Sequence, residues 1–549
     1  MKLTAPASVM RGILLAIVFG PVLVTSIVTS YEKLRMLVER GDDVLVQGIE
    51  ETITKGQERI KNLTTILAQY YSIPRTDYEF QADHPNDFYL LVKHHVTTWF
   101  DSNIDQDYFP VLEEVIKEQN VTFPTLSEFP DAVLALIRLQ YVYKLNARDM
   151  FEGNYLGYMG PRLDIEDPYL IGKQAFMAGY LQEAKEWLQI SVELTAQDME
   201  NFDPDSPDNE GMTLELLQKD YFWSLSLLGR TLVHLNESET ARKMYEECKA
   251  SEDAVKTVED VEELAKELDA NLTKLLEDYG PSTKEDDENS TILCSREKHQ
   301  RVSVIRPHHV CRYKSDRFLP YRRFAEEILS TSPHVSVFYD VIHESELEKL
   351  KDIAMKKLRR GKVVGDGSGK VSDTRTGDLG WIADDVDPLI AQVSARVKAF
   401  TGLDVKKRQF YRQSSEPMQV VNYGLGGHYD VHLDPLPDLG IQNRLATVLF
   451  YLTDVEKGGA TIFPRLGVSV SPVKGMALMW YNFEPHMKDK DLLTHHAGCP
   501  VLMGNKWIAN KWIWSYGNTF RRPCGPSPQS TQLEVENIAS FGALKEVIE

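Results

Sequence analysis

Apolar and polar positions alternate differently in the two halves of the chain. From Tyr31 to about Tyr71 apolar residues recur at roughly seven-residue steps (Tyr31, Val38, Leu45, Ile53, Ile60, Leu67), which predicts a long helix with an apolar seam. Such a seam serves self-association or packs on its own domain, and periodicity alone does not choose. Further on, Ile171-Gly172 and Leu228-Gly229 are each followed twelve residues later by an alanine, Ala184 and Ala241, with aromatics nearby. This is the spacing of tetratricopeptide helix pairs, with an acidic insertion around Asp198 to Glu210 looping out between the two units. Two such pairs form a groove for an extended peptide, or a plain scaffold. After Pro333 the pattern changes to short β-rich runs separated by Gly, Pro and Asp turns: Val335 to Val341, Met418 to Tyr423, Arg444 to Leu452, Val468 to Val470 and Met476 to Tyr481. Many short strands predict a sandwich or jelly-roll barrel.

Length and charge narrow the class. A chain of 549 residues has room for three to four domains of about 150 residues each. Its 61 Lys and Arg against 82 Asp and Glu give a net charge of -21, the wrong sign for a nucleic-acid binder. The charge is uneven, with 14 acids against 4 lysines from Ser251 to Ser290, which predicts an acidic helix and linker. A basic loop follows from Cys294 to Arg323. Lys2 and Arg11 precede the apolar run Gly12 to Val28, with small residues at Ser26 and Ser30, so the first 30 residues are expected to be a cleaved secretory signal. No other segment is long and apolar enough to span a bilayer, so no membrane attachment is expected after cleavage. The sequons at Asn62, Asn120, Asn236, Asn271 and Asn289 fit an oxidising lumen. Of the five cysteines, Cys294 with Cys311 and Cys499 with Cys524 are spaced for two local bridges, and Cys248 is left free.

The chemistry concentrates in the β-rich half. On a strand, His-x-Asp puts two ligands on one face, and a distant histidine can complete a facial triad with open positions for a non-haem iron. The run His428-Tyr429-Asp430-Val431-His432-Leu433-Asp434 holds two such pairs in one register, His428 with Asp430 and His432 with Asp434. Local geometry leaves both open.

Asn422-Tyr423-Gly424, then GGATIFP at 458–464, then His496 leading to GNKWIANKW at 504–512, stand in one characteristic order. From Pro333 to Cys524 the chain resembles the catalytic domain of the prolyl 4-hydroxylase alpha subunits, iron(II) and 2-oxoglutarate dioxygenases of the endoplasmic reticulum. The resemblance implies His432, Asp434 and His496 as iron ligands, the segment Gly426-Gly427-x-Tyr429-Asp430-x-His432-x-Asp434 fixing the register. It implies Lys506 for the far carboxylate of 2-oxoglutarate, Tyr423 and Thr447 as hydroxyl partners of that carboxylate, and Tyr429 on the substrate side. Gly458 and Gly459 look structural, allowing a tight turn. Two departures stand out: His495 occupies a place where arginine is usual, and Trp514 one where a histidine usually positions the oxo-acid end of the cosubstrate. An indole offers one donor and no acceptor, so poorer coupling of decarboxylation to hydroxylation is expected. In the helical repeat, Arg230 and Val233 stand where relatives tend to carry groove tyrosines.

The implied layout is an α+β multidomain protein: signal peptide 1–30, helical association domain 31–150, tetratricopeptide-like peptide-binding domain 151–250, acidic helix, linker and disulfide loop 251–332, double-stranded β-helix (jelly-roll) dioxygenase domain 333–525 and tail 526–549. The resemblance further implies O2 and L-ascorbate as co-reactants, a proline-rich or collagen-like peptide as substrate and protein disulfide isomerase as beta subunit. The last residues, Leu544 to Glu549, carry no lumenal retrieval signal, which fits a borrowed one.

Overall fold

The computed structural model describes residues 31–55, 83–99, 109–119, 121–203, 213–251, 259–269, 285–295, 311–316, 319–360, 376–406 and, apart from a few isolated positions, 414–530. The expected signal, Ile60, Leu67, Asn62, Asn120, Asn271 and nearly all of the tail lie outside them. The chain divides into two compact units, one including Glu32–Thr283 and the other Lys284–Glu549. No helix among the described residues is long and apolar enough to cross a membrane.

The first unit is helical: α1 (Tyr31–Lys55), α2 (Pro85–Trp99), α3 (Phe109–Gln119), α4 (Phe129–Tyr143), α5 (Ala147–Phe151), a small hairpin of β1 (Asn154–Tyr155) and β2 (Tyr158–Met159), then α6 (Asp167–Met177), α7 (Leu181–Glu200), α8 (Leu214–His234), α9 (Ser238–Lys249) and α10 (Glu259–Asp269). In α1 the buried stripe is Leu34, Leu37, Gly41 and Val44 with Leu45, facing His95 of α2, so in this unit much of its apolar surface packs on its own domain. Tyr31 and Val38 lie half-buried beside that stripe. Successive helices α6, α7, α8 and α9 pack on one another, and α10 lies on α8 and α9. The small residues that marked the repeat are contact points: a Cβ on Gly172 would meet Leu188, and one on Gly229 would meet Leu264 of α10. Val233 is buried in α8 rather than lining a groove.

The second unit opens with α11 (Glu285–Cys294), followed by β3 (Cys311–Asp316), β4 (Leu319–Thr331), β5 (His334–Tyr339), α12 (Glu344–Met355), β6 (Arg359–Arg360), β7 (Asp378–Ile382), α13 (Pro388–Thr401) and β8 (Met418–Tyr423). Then come β9 (Tyr429–His432), β10 (Arg444–Tyr451), β11 (Lys457–Gly458), β12 (Thr461–Phe463), β13 (Val468–Val470), β14 (Ala477–Tyr481), β15 (His496–Gly498), β16 (Val501–Met503) and β17 (Lys506–Trp514). A nine-stranded sheet runs β3-β4-β5-β14-β10-β17-β8-β7-β6, and a four-stranded sheet runs β13-β12-β15-β9. Period-two alternation sends Val448 and Phe450 to a core shared with α12 and α13, and Leu449 and Tyr451 to a second core with Phe463 and Val470 of the smaller sheet. The central strands are therefore covered on both faces, and β8 and β14 are buried along their whole length.

Two expectations need correction. Cys311–Asp316 and Leu319–Thr331, expected as part of a linker and disulfide loop, form β3 at the edge of the large sheet and β4 beside it. The cysteine pairing also differs: Cys294 bonds to Cys499, and Cys311 and Cys524 are exposed free thiols, while Cys248 is free and buried. The reason is spatial. Helix α11 lies against β12 and β13 of the smaller sheet, one strand from β15, which runs into Cys499. Cys311 begins the outermost strand of the other sheet, so neither predicted local pair forms.

Candidate active site

Strands β9 and β15 are antiparallel neighbours, and their register sets His432 directly opposite His496. The two imidazoles stand 4.3 Å apart between centroids. Asp434, two residues past His432 on the same face, places Oδ1 at 3.7 Å from Nε2 of each histidine. Together the three offer ligand atoms within 4.8 Å of one another.

The protons on these rings are placed by their neighbours. His432 Nδ1 lies 2.7 Å from the carbonyl of Asp430, and His496 Nδ1 lies 2.9 Å from that of Thr494. A carbonyl only accepts, so each Nδ1 carries the proton and each Nε2 turns a lone pair toward Asp434. Two lone pairs and a carboxylate facing one another at 3.7 Å repel unless a cation lies between them. This donor set fits iron(II). Burial opposes the charge of Asp434, yet its carboxyl is held below the ordinary range, the Arg444 guanidinium and the Thr447 hydroxyl among the groups that favour its charged form.

The other His-x-Asp pair is separate. His428 binds Thr376 Oγ1 through Nδ1 at 2.8 Å and faces Asp430 through Nε2 at 3.2 Å. Both of its nitrogens are thus engaged away from the triad.

Asp434 is braced from two sides. Thr447 Oγ1 donates to Asp434 Oδ2 at 2.5 Å and accepts from Asn482 Nδ2 at 3.0 Å. Its single proton therefore lies on Asp434 Oδ2, so Thr447 braces the carboxylate whose Oδ1 faces the two histidines. Arg444 donates to the Asp434 carbonyl at 3.3 Å and forms a two-pronged pair with Glu416 at 2.6 and 2.8 Å. Trp514 Nε1 donates to the same Glu416 at 3.0 Å, so its one donor faces this clamp. His495 binds the Leu492 carbonyl through Nδ1 at 2.7 Å. Arg444, Glu416 and Asn482 carried no motif that marked them in advance.

Around the triad, Tyr429 stacks on His432 with centroids 3.7 Å apart, while Trp480 and Phe463 stand 4.7 and 5.7 Å from His496. Lys506 opens β17 opposite Tyr423 of β8, with Nζ 5.5 Å from the Tyr423 ring. It is 2% exposed and has no ion-pair partner among the described residues, and burial pushes its ammonium down to about 7. A Cβ on Gly498 would sit 3.6 Å from Lys506 Nζ and 3.7 Å from the Tyr429 backbone nitrogen, which places the ammonium on the triad's side of the sheets. A Cβ on Gly459, whose φ is +67°, would sit 3.3 Å from Lys506 Cδ, so the Gly-Gly turn leaves room for the lysine. A buried cation with no carboxylate of its own fits an anionic ligand such as 2-oxoglutarate.

Two other acidic groups converge without the same chemistry. Asp164, Glu166 and Asp167 surround the Lys93 ammonium at 2.7 to 3.0 Å, so a lysine already fills that position. Glu484 and Asp489 each lie 3.4 Å from His486 in an ion-paired turn.

A double-sheet fold carrying two histidines and an aspartate, with a buried lysine nearby, defines an iron(II)- and 2-oxoglutarate-dependent oxygenase. Residues 418–514 match the 2OG-Fe(II) oxygenase superfamily, and residues 30–157 match the N-terminal region of the prolyl 4-hydroxylase alpha subunit. The chain is 31% identical over 515 residues to prolyl 4-hydroxylase subunit alpha-2 of Gallus gallus, covering 88% of this chain and 92% of that one. It is 30% identical over 527 residues to subunit alpha-2 of Caenorhabditis elegans (88% and 93%) and 29% over 488 residues to subunit alpha-1 of Homo sapiens (85% and 89%). The chain belongs to the prolyl 4-hydroxylase alpha-subunit family.

Proposed function

We propose that this chain is the catalytic subunit of a prolyl 4-hydroxylase that converts peptidyl proline, in a collagen-like or other proline-rich chain, to 4-hydroxyproline. The observation that carries this reading is the pairing of an iron-ready triad with the unpaired, buried Lys506. When bound, iron(II) with 2-oxoglutarate and O2 supplies the oxidising chemistry, releasing succinate and carbon dioxide. His432, Asp434 and His496 would hold the metal through Nε2, Oδ1 and Nε2. Lys506 draws the far carboxylate of the cosubstrate inward, and Tyr423 lies beside that lysine. Tyr429, Trp480 and Phe463 wall the site against water, and Tyr429 borders the substrate approach.

The remaining expectations extend this reading. The helical unit acts as a tetratricopeptide-like peptide-docking domain, the subunit works in the endoplasmic reticulum lumen with protein disulfide isomerase, and its N-terminal helices support self-association. L-ascorbate restores iron oxidised in unproductive turnovers. The chain co-expressed with protein disulfide isomerase, given iron(II), ascorbate, O2 and proline-containing peptides, should release succinate and form 4-hydroxyproline. The His432→Ala variant should form neither. Peptide binding without succinate above that variant would instead make the chain a non-catalytic binding subunit.

A further inference from the structure

Two of the chain's sequons, Asn236-Glu237-Ser238 and Asn289-Ser290-Thr291, lie among the described residues, and the fold treats them differently. Helix α8 ends at His234 and α9 begins at Ser238, so Asn236 stands in the turn between them. Its φ of +61° is left-handed, a conformation that asparagine tolerates at helix ends. The main-chain N–H of Asn236 donates to the Val233 carbonyl at 3.0 Å, and that of Glu237 to the Leu232 carbonyl at 2.8 Å. The turn is thus held by its own backbone bonds and by the buried Leu232 and Val233, while Asn236 and Ser238 are exposed.

Asn289, Ser290 and Thr291 are all half-buried within α11, which packs on β12 and β13 and is tied at Cys294 to Cys499. Residues two apart on a helix do not share a face, so the Asn289 amide and the Thr291 hydroxyl are not presented together. A bulky, solvated branch on this helix would also compete with its packing on the smaller sheet. The α8–α9 turn carries neither obstacle.

We propose that Asn236 carries an N-linked oligosaccharide, that Asn289 does not, and that the α8–α9 edge of the helical unit consequently faces solvent in the assembled enzyme. In the transfer, Asn236 Nδ2 bonds to C1 of a sugar carried on a lipid pyrophosphate. The C1–O bond breaks, the lipid pyrophosphate leaves and the amide gives up one proton, with no change of oxidation state. A solvated branch on the turn keeps another subunit from covering it. This rests on the lumenal address proposed above and adds which surface of the helical unit stays open there.

The test uses the full chain co-expressed with its disulfide isomerase subunit through the secretory pathway of a eukaryotic host. The purified complex is treated with peptide N-glycosidase in heavy-oxygen water, first folded and then unfolded, and each sequon peptide is read by mass spectrometry. The glycosidase turns a glycosylated asparagine into aspartate marked with heavy oxygen. Asn236 should be converted in most molecules, already in the folded complex, and Asn289 in none. Ser238→Ala should abolish the Asn236 mark and Ser238→Thr should keep it, with succinate formation unchanged in both. An unmodified Asn236 beside another modified sequon would overturn the proposal and leave the lumenal address standing. If no sequon is modified, the lumenal address falls with it. Release at Asn236 only after unfolding would overturn the solvent-facing edge, and a modified Asn289 would overturn the distinction between the two sequons.

Discussion

Replacing Thr447 by valine separates two roles for one hydroxyl. The motif order suggests that Thr447 touches the cosubstrate, whereas its proton lies on Asp434 Oδ2 at 2.5 Å, with Asn482 donating to the hydroxyl oxygen from behind. Both Thr447 and Asp434 are buried, so water cannot replace the lost donor. A hydrogen bond to a buried charge is worth about 1.5–3 kcal/mol, and the mutation also removes one of the two bonds made by Asn482 Nδ2, which keeps its bond to the Arg444 carbonyl. With Oδ2 released, the carboxylate can turn about its last torsion and Oδ1 leaves the line of the two Nε2 atoms. Loss of an outer partner of this kind costs about 10–100-fold in metal affinity. Titration calorimetry with Mn(II) should therefore show that loss in Thr447→Val and near wild-type affinity in Thr447→Ser. The 2-oxoglutarate KM at saturating iron should stay unchanged. Metal affinity within twofold of wild type together with a raised 2-oxoglutarate KM would refute the reasoning and return Thr447 to the cosubstrate.

Lys506→Met should raise the 2-oxoglutarate KM while Mn(II) binding stays intact. Because burial lowers the ammonium to about 7, its charge in the free protein is lost as pH rises through that value, so the wild-type KM should climb by up to about tenfold per pH unit above it, and a Lys506→Arg variant should be flat. Peptide mapping of unreduced protein should find Cys294 linked to Cys499 with Cys311 and Cys524 open to alkylation; either local bridge in its place would overturn the packing of α11 on the smaller sheet. Since the Trp514 donor is held by Glu416, wild type should form more succinate than hydroxyproline. Trp514→His should bring the two closer, and a one-to-one ratio already in wild type would remove any cost of the indole.

The parts of the fold that were readable from sequence are those where one physical rule dominates. Strands β8 and β14 fall within a residue or so of the apolar runs that announced them, because strands covered on both faces need near-continuous apolar residues. Strand β4 was hidden by the opposite circumstance. Its inward positions are Phe324, Glu326 and Ile328, and the buried Glu326, paired with Arg312 at 2.6 Å and near His334, breaks the alternation with a charge that only the fold can satisfy. The disulfide was missed for a related reason: sequence spacing ranks cysteines by chain distance, whereas Cys294 and Cys499, 205 residues apart, are brought together by the stacking of a helix on a sheet.

The same contrast runs through the active site. Its metal-binding residues could be proposed from sequence because the two His-x-Asp pairs stand among motifs in the order of a known family; the pairs alone left two registers open. What separates them is an engagement that no spacing reveals: His428 is held by Thr376 and Asp430, while His432 gives its Nδ1 proton to a carbonyl and keeps Nε2 for the metal. The residues that give Asp434 its aim have no metal chemistry at all. Thr447 holds one carboxylate oxygen, Arg444 holds the main chain, and Glu416 ties Arg444 to Trp514 at the end of β17. A threonine, an arginine–glutamate pair and a tryptophan are ordinary on strand ends. Their role follows from the register of β10 against β17, which sets Arg444 opposite Trp514, so the position of one metal ligand is fixed by a pairing that a single sequence does not display.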